Sequence, residues 1–202
     1  MSQLDRILDA NRLYRALNPW SASPSSARPA RQLVILTCMD TRLDLLRALG
    51  LEVGDAHFVR NAGGRATNDA LRSIALSTKA LGTTEIGVIH HDNCGLEGRT
   101  NDELRAATGV DLDFLPFADV EASVHDDVDV IRAWPSLAPG TVVWGAVYDV
   151  DDASLRVVDR ACHPTTETSA TRTRPRRSMT TPSVRSEWTP WFLANHRGMR
   201  GM

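Results

Sequence analysis

Two short clusters hold the side chains on which chemistry can be built, Cys38-Met39-Asp40-Thr41-Arg42 and His90-His91-Asp92-Asn93-Cys94. The first follows the apolar run Leu33-Val34-Ile35-Leu36, and the second closes the run EIGVIHH. Both therefore read as strand ends entering loops, where an open α/β sheet presents side chains to a crevice. If the two strands are neighbours, Cys38, His91 and Cys94 face one point. Two thiolates and an imidazole suit Zn²⁺, and three protein ligands leave a fourth position open for chemistry, as in catalytic zinc sites. Carrying the extended period of two past the strand end places Cys38, Asp40 and Arg42 on one side. An acid beside a metal position and held by a cation is a functional arrangement in many sites. Each piece has a plainer reading as well. A buried Cys is a small core hydrophobe, H-x-x-C arises by chance, and Asp40 with Arg42 can be an ordinary ion pair.

Smaller expectations surround these clusters. A helix is expected to follow Cys94, so that its unpaired amides favour the Cys94 thiolate. His90 and Asp92 are candidate proton shuttles because imidazole titrates near neutrality, although a strand-end histidine is also a common packing residue. In Asn61-Ala62-Gly63-Gly64 the glycines permit backbone amides to approach a pocket, which makes Gly63 a candidate substrate contact, or they serve only to reverse the chain.

The elements that position these residues alternate along residues 1–160. Ser2 with Asp5 marks a helix start, and Leu4, Ile7, Leu8, Tyr14 and Leu17 form an apolar stripe ending before Pro19. A Ser/Pro/Ala linker at 21–30 leads to the strand LVILTC. A helical stretch from Asp44 to Leu49, the strand AHFVR, a helix over about 67–81 and the strand EIGVIHH come next. Val120, Val124, Val128 and Ile131 recur at helical spacing over 119–134, and TVVWGAVYDV is a further apolar strand. Nearly continuous apolar strands alternating with helices predict a mainly parallel sheet covered on both faces.

Composition limits the alternatives. A chain of 202 residues, 42% hydrophobic, builds one ordinary core. Its start lacks the unbroken apolar stretch of a signal peptide or membrane span, so a cytoplasmic location is expected and no membrane association. Three cysteines are too few for a disulfide framework. The net charge of −2 conceals an asymmetry: from Arg160 onward there are eight Arg and two Glu, a net +6, against −8 for the rest. That segment is rich in Thr, Ser, Pro and Arg without an apolar period, so a disordered basic tail is expected over 160–202. Its basic character leaves nucleic-acid or acidic-surface binding open, but it lacks the basic blocks or modules of a nucleic-acid binder, and a solvated extension is the expected reading. Cys162 reads as a free thiol, and WTPWFL at 188–193 as a patch that docks on the body or on a partner.

With these residues laid out, the chain resembles a β-class carbonic anhydrase. C-x-D-x-R stands as Cys38-Met39-Asp40-Thr41-Arg42 and H-x-x-C as His91-Asp92-Asn93-Cys94. FVRNAGG at 58–64, SVHDDVDVIRAWP and WGAVYDVDDASLRVV add to the likeness, which covers about residues 31–158. The resemblance implies a β-carbonic-anhydrase-like α/β fold, with residues 1–30 as a dimerisation arm and 31–159 as the catalytic domain. It further implies one Zn²⁺ per subunit on Cys38, His91 and Cys94, and a catalytic dyad of Asp40 and Arg42. The implied reaction is reversible hydration of CO₂ to bicarbonate by zinc-bound hydroxide that the dyad orients, in a homodimer or higher even oligomer. Hydrolysis of carbonyl sulfide or carbon disulfide on the same site is one alternative. A non-enzymatic zinc-thiolate protein, structural or redox-sensing, is another, although a structural site is usually closed by a fourth ligand and has no use for the dyad. The tail beyond about 160 departs from the shorter family members.

Overall fold

A computed structural model describes residues 2–17 and 26–160. Helix α1 (Gln3–Leu17) begins at the expected place: Asp5 N–H donates to Ser2 Oγ at 3.1 Å, and Ser2 N–H donates back to Asp5 Oδ2 at 2.7 Å. This reciprocal pairing satisfies donors that a helix start leaves open. None of its residues is buried, so Leu4, Ile7, Leu8, Leu13 and Leu17 all face outward. The linker's first part and the expected tail, with Cys162 and WTPWFL, lie outside the described residues.

Five strands form one sheet: β1 (Leu33–Cys38), β2 (Ala56–Asn61), β3 (Glu85–His91), β4 (Val142–Tyr148) and β5 (Leu155–Asp159), in the order β2-β1-β3-β4-β5. The first four are mutually parallel, as their apolar runs predict. Periodicity alone supplies no partner for β4 beyond β3, yet β5 pairs with it antiparallel and makes the sheet mixed. Asp149 forms the reversal, its N–H donating to Ser154 O at 2.9 Å and its Oδ1 accepting from Asp151 N–H at 2.8 Å.

Helices cover the sheet as α2 (Leu45–Ala48), α3 (Asn68–Lys79), α4 (Asn101–Thr108) and α5 (Val120–Arg132). Strand alternation divides the core in two. Val34, Leu36, Ile86, Val88, Val143 and Val147 pack on Ala70 and Ile74 of α3 and on Val124, Val128 and Ile131 of α5. On the other side Ile35 and Ile89 meet Leu43, Leu45, Leu51, Leu96, Phe117 and Tyr148. Helix α5 sits so close to β4 that a Cβ at Gly145 would run into Val124 Cγ1 and lie 3.0 Å from Val128 Cγ2.

One expectation is corrected here. No helix follows Cys94 directly; α4 starts at Asn101, where Thr100 Oγ1 accepts from Glu103 N–H at 3.2 Å and Glu103 Oε2 accepts from Thr100 N–H at 2.8 Å. The cap fixes the helix start, and Cys94 sits in a turn with its carbonyl accepting from Glu97 N–H at 3.0 Å. Helix-end amides therefore do not account for its chemistry.

Candidate metal centre

Strands β1 and β3 are neighbours, pairing Leu33 with Glu85 through Thr37 with Ile89. Cys38 and His91 consequently leave the same edge of the sheet, and the Thr37 hydroxyl ties the two strand ends by donating to Ile89 O at 2.8 Å. Cys94 returns through a turn in which Asn93 takes φ +51°, a left-handed conformation that Asn tolerates better than most residues. The Cys38 and Cys94 sulfurs and a His91 ring nitrogen all lie within 4.8 Å of one another, and all three residues are buried. A tetrahedral zinc with Zn–S of about 2.3 Å and Zn–N of about 2.0 Å sets its donors roughly 3.5–3.8 Å apart, inside that limit.

His91 shows how the cluster fits such an ion. Its Nδ1 lies 2.8 Å from the carbonyl of Asp92, which can only accept, so Nδ1 carries the hydrogen. Nε2 is then the lone-pair nitrogen, and it is buried with no hydrogen-bond partner. A buried acceptor without a partner is costly, and a metal ion removes that cost. The hydrogen bond through the other ring nitrogen is the usual way of fixing a ligand histidine's tautomer.

The two thiols shift each other's pKa in opposite directions. Cys38 is drawn down to about 4, mainly by the hydrogen bond from Cys94, with His91 and the amides of Asp40 and Gly63 adding to this against burial. Cys94 is pushed well above the ordinary thiol range by the same bond and by burial. For His91, burial opposes the charged ring, but the neighbouring Cys38 sulfur, the Asp92 carbonyl and the charge of Asp40 outweigh it and raise its pKa. The opposite shifts favour loss of one proton from the pair, and a cation would take that proton's place.

Asp40 and Arg42 do meet, though not on an extended segment. Strand β1 ends at Cys38 and the chain turns at Thr41-Arg42. Asp40 Oδ1 accepts from Arg42 N–H at 2.9 Å and from its Nε at 3.0 Å, while Oδ2 accepts from Nη2 at 2.8 Å. An Asx-type turn thus combines with a two-pronged guanidinium contact. These bonds hold the Asp40 carboxyl well below the usual carboxylate range. Its Oδ2 lies 3.9 Å from His91 Nε2, beside the ligand cluster. Arg42 also donates from Nη2 to Asn93 O at 3.0 Å, joining the two ligand-bearing loops.

The 3₁₀ turn Ala62–Gly64 closes another side. Gly63 and Gly64 are buried at φ +75° and +72°, where a side chain is strained. A Cβ on Gly64 would lie 3.0 Å from Cys38 N, and the Gly63 amide hydrogen-bonds to the Cys38 sulfur. Gly63 thus has its amide turned toward the Cys38 sulfur.

Three features were not among the sequence candidates. Arg60 donates from Nε to Cys38 O at 2.9 Å, from Nη1 to Leu43 O at 3.4 Å, and from Nη2 to Asp40 O. Asn61 Nδ2 donates to Arg65 O at 2.8 Å. Behind the turn, Asp127 of α5 accepts from Ala66 N–H at 2.9 Å and pairs with Arg65 at 3.0 Å and His90 at 3.2 Å. His90 is 1% exposed and also bonds Ser123 Oγ through Nδ1 at 2.7 Å, so it serves packing, away from solvent. Asp92 accepts from Val150 N–H at 2.9 Å.

The chain is similar to known carbonic anhydrases. The family model described as carbonic anhydrase matches residues 33–110. "Beta-carbonic anhydrase 1" of Mycobacterium tuberculosis is 36% identical over 141 residues, covering 67% of this chain and 86% of that protein. "Carbon disulfide hydrolase" of Saccharolobus solfataricus is 35% identical over 156 residues, covering 62% and 76%. Among solved structures, a carbonic anhydrase from Streptococcus mutans superposes with a TM-score of 0.72 at 41% identity, over 79% of this chain and 99% of that one.

Proposed function

The chain belongs to the β-class carbonic anhydrases, and on that basis we propose that it reversibly hydrates carbon dioxide to bicarbonate and a proton with one Zn²⁺ per subunit. The observation that carries the reading is the joint presence of a three-donor cluster and an ionised Asp40 locked by Arg42 beside it. A structural zinc site would be closed by a fourth ligand, and this cluster offers three among the described residues.

Cys38, His91 and Cys94 would hold the ion, which when bound supplies a Lewis acid that makes water nucleophilic near neutral pH. The chain's own residues do the rest. Asp40 Oδ2 accepts a hydrogen bond from the attacking water and so orients a lone pair toward the substrate carbon. Arg42 keeps that carboxylate charged, and Asn93 O keeps Arg42 in place. Leu43, Leu96, Phe117 and Tyr148 cluster around Cys38 and Cys94; they give an apolar linear substrate a surface to rest on and limit water access. The Gly63 amide steadies the Cys38 sulfur.

The domain reading follows. Residues 31–159 are the catalytic unit, and the outward apolar stripe of α1 supports residues 1–30 as a dimerisation arm in an even oligomer. No helix among the described residues is long and apolar enough to cross a membrane. The likeness to carbon disulfide hydrolases supports a second reading, in which the same centre hydrolyses carbon disulfide or carbonyl sulfide.

Stopped-flow CO₂ hydration by the zinc-loaded chain and by Cys94→Ala, with carbon disulfide assayed in parallel, tests the proposal. Hydration is expected to require both zinc and Cys94. Turnover that survives zinc removal would overturn it, and turnover of carbon disulfide alone would establish the second reading.

A further inference from the structure

The loop that carries Asp40 runs from the end of β1 to Leu43, and it is fixed from outside by a residue of the neighbouring strand. In the β1–β2 register Arg60 lies opposite Thr37, and Asn61 opposite Cys38. From there the Arg60 guanidinium reaches the main-chain carbonyls of Cys38, Asp40 and Leu43, using a different nitrogen for each. Those carbonyls stand at the start, middle and end of the loop. The loop has few other anchors of its own: Met39 N–H donates to Asn61 O at 2.8 Å, and Leu43 N–H donates to Asp40 O at 3.3 Å within the loop itself.

We propose that Arg60 is a positioning residue for the reaction, holding the Asp40 carboxylate at its place beside the metal ligands by binding the backbone on either side of it. The inference rests on the reading of Asp40 as the acid of the dyad. Arg42 fixes the Asp40 side chain relative to its own loop and to Asn93 O. Arg60 fixes the backbone from which that side chain springs. The two arginines therefore act on different degrees of freedom, and neither replaces the other.

The chemistry demands arginine. A planar guanidinium spreads its five N–H groups as a rigid fork, whereas a lysine ammonium concentrates its donors on one atom and cannot span three separated carbonyls. Arg60→Lys keeps the charge and removes the span, and Arg60→Met keeps the aliphatic bulk and removes both. A displacement of the order of 1 Å of a group that must meet a reacting water costs about 100-fold in rate.

Zinc content, thermal midpoint, kcat and KM for CO₂ hydration, and the visible spectrum of the cobalt-loaded protein are to be measured for wild type, Arg60→Lys and Arg60→Met. Both variants are expected to bind metal stoichiometrically and to lose roughly 10- to 100-fold in kcat, with KM changed by less than about threefold. The cobalt bands, which report the groups around the metal, are expected to shift in both variants. Added guanidinium is expected to restore part of the kcat of Arg60→Met but none of wild type. Arg60→Lys with kcat within about twofold of wild type, or cobalt bands identical to wild type, would overturn the assignment. So would a loss of activity that tracks lost metal, or failure of both variants to fold with metal, since Arg60 would then be merely structural. If wild type itself fails to hydrate CO₂, the proposed function falls, and the cobalt spectra still decide whether Arg60 holds the loop.

Discussion

Asp127 offers a sharp quantitative test because its carboxylate is 3% exposed and serves several partners. Oδ1 accepts from Ala66 N–H at 2.9 Å, and Oδ2 faces Arg65 Nε at 3.0 Å and His90 Nε2 at 3.2 Å. Arg65 is itself 8% exposed, so removing the carboxylate leaves a guanidinium in the core with Phe117 beneath it and no counter-charge from α5. Breaking a buried ion pair from one side costs about 3–5 kcal/mol. An orphaned amide at Ala66 is one part of that loss, at about 1–3 kcal/mol. Asp127→Ala is therefore expected to lose about 3–5 kcal/mol. At roughly 2–4 °C per kcal/mol for a domain of this size, the midpoint should fall by about 6–20 °C. Asp127→Asn retains an acceptor for Ala66 and should fall in between. Urea denaturation of the metal-loaded protein at one fixed concentration is the assay, with zinc content checked before and after. A loss below about 1 kcal/mol for Asp127→Ala would refute the reasoning, because it would mean that Arg65 finds water as readily as it finds Asp127.

Further outcomes follow from the site and the core. Arg42 depresses the Asp40 carboxyl, so the stabilisation from that contact is present above the ordinary carboxylate value of about 3.9 and is lost only as pH falls through the lower folded value. In Arg42→Ala the carboxyl returns toward the ordinary range, and the acid limb of the hydration profile should move to higher pH; an unmoved limb would contradict the pairing. In the metal-stripped chain Cys38 is held at about 4 while Cys94 is raised. Iodoacetamide at mildly acidic pH should therefore label Cys38 ahead of Cys94 in peptide mass spectra, with zinc protecting both. Gly145→Ala forces a methyl into Val124 and Val128 and should cost about 1–3 kcal/mol in urea midpoints by overpacking.

The sheet was legible where a run of apolar residues stands alone. LVILTC and EIGVIHH are buried on both faces, and a strand in that position has to be apolar throughout, which is what marks it. Strand β5 gave a weaker signal, since LRVVD is half-exposed on an edge and borrows its order from β4. The start of α4 carries a sign of its own in the sequence. Thr100 with Glu103 is a capping box, and it outranks the assumption that a helix begins as soon as a strand ends.

The grouping of Cys38, His91 and Cys94 was legible because its members are chemically distinctive; strand register brings Cys38 and His91 together, and the turn at Asn93 returns Cys94 to them. The Asp40–Arg42 contact was anticipated for the wrong reason. Extending the strand period past Cys38 puts both residues on one side, but the chain turns, and they meet because the Asp40 carboxylate captures the Arg42 amide as well as its guanidinium. Local hydrogen bonding by Asp competes with an extended backbone, and in this loop it prevails. Arg60 and Asp127 escaped notice for a different physical reason. Each acts on main-chain groups of residues distant in sequence, 20 positions for Arg60 to Asp40 and 61 for Asp127 to Ala66. A carbonyl or an amide is present at every position and carries no mark in the sequence, so its partner cannot be recognised until the fold has placed them together. The residues that could bind an ion declare themselves by type, whereas those that brace the loops carrying them are identified only by position.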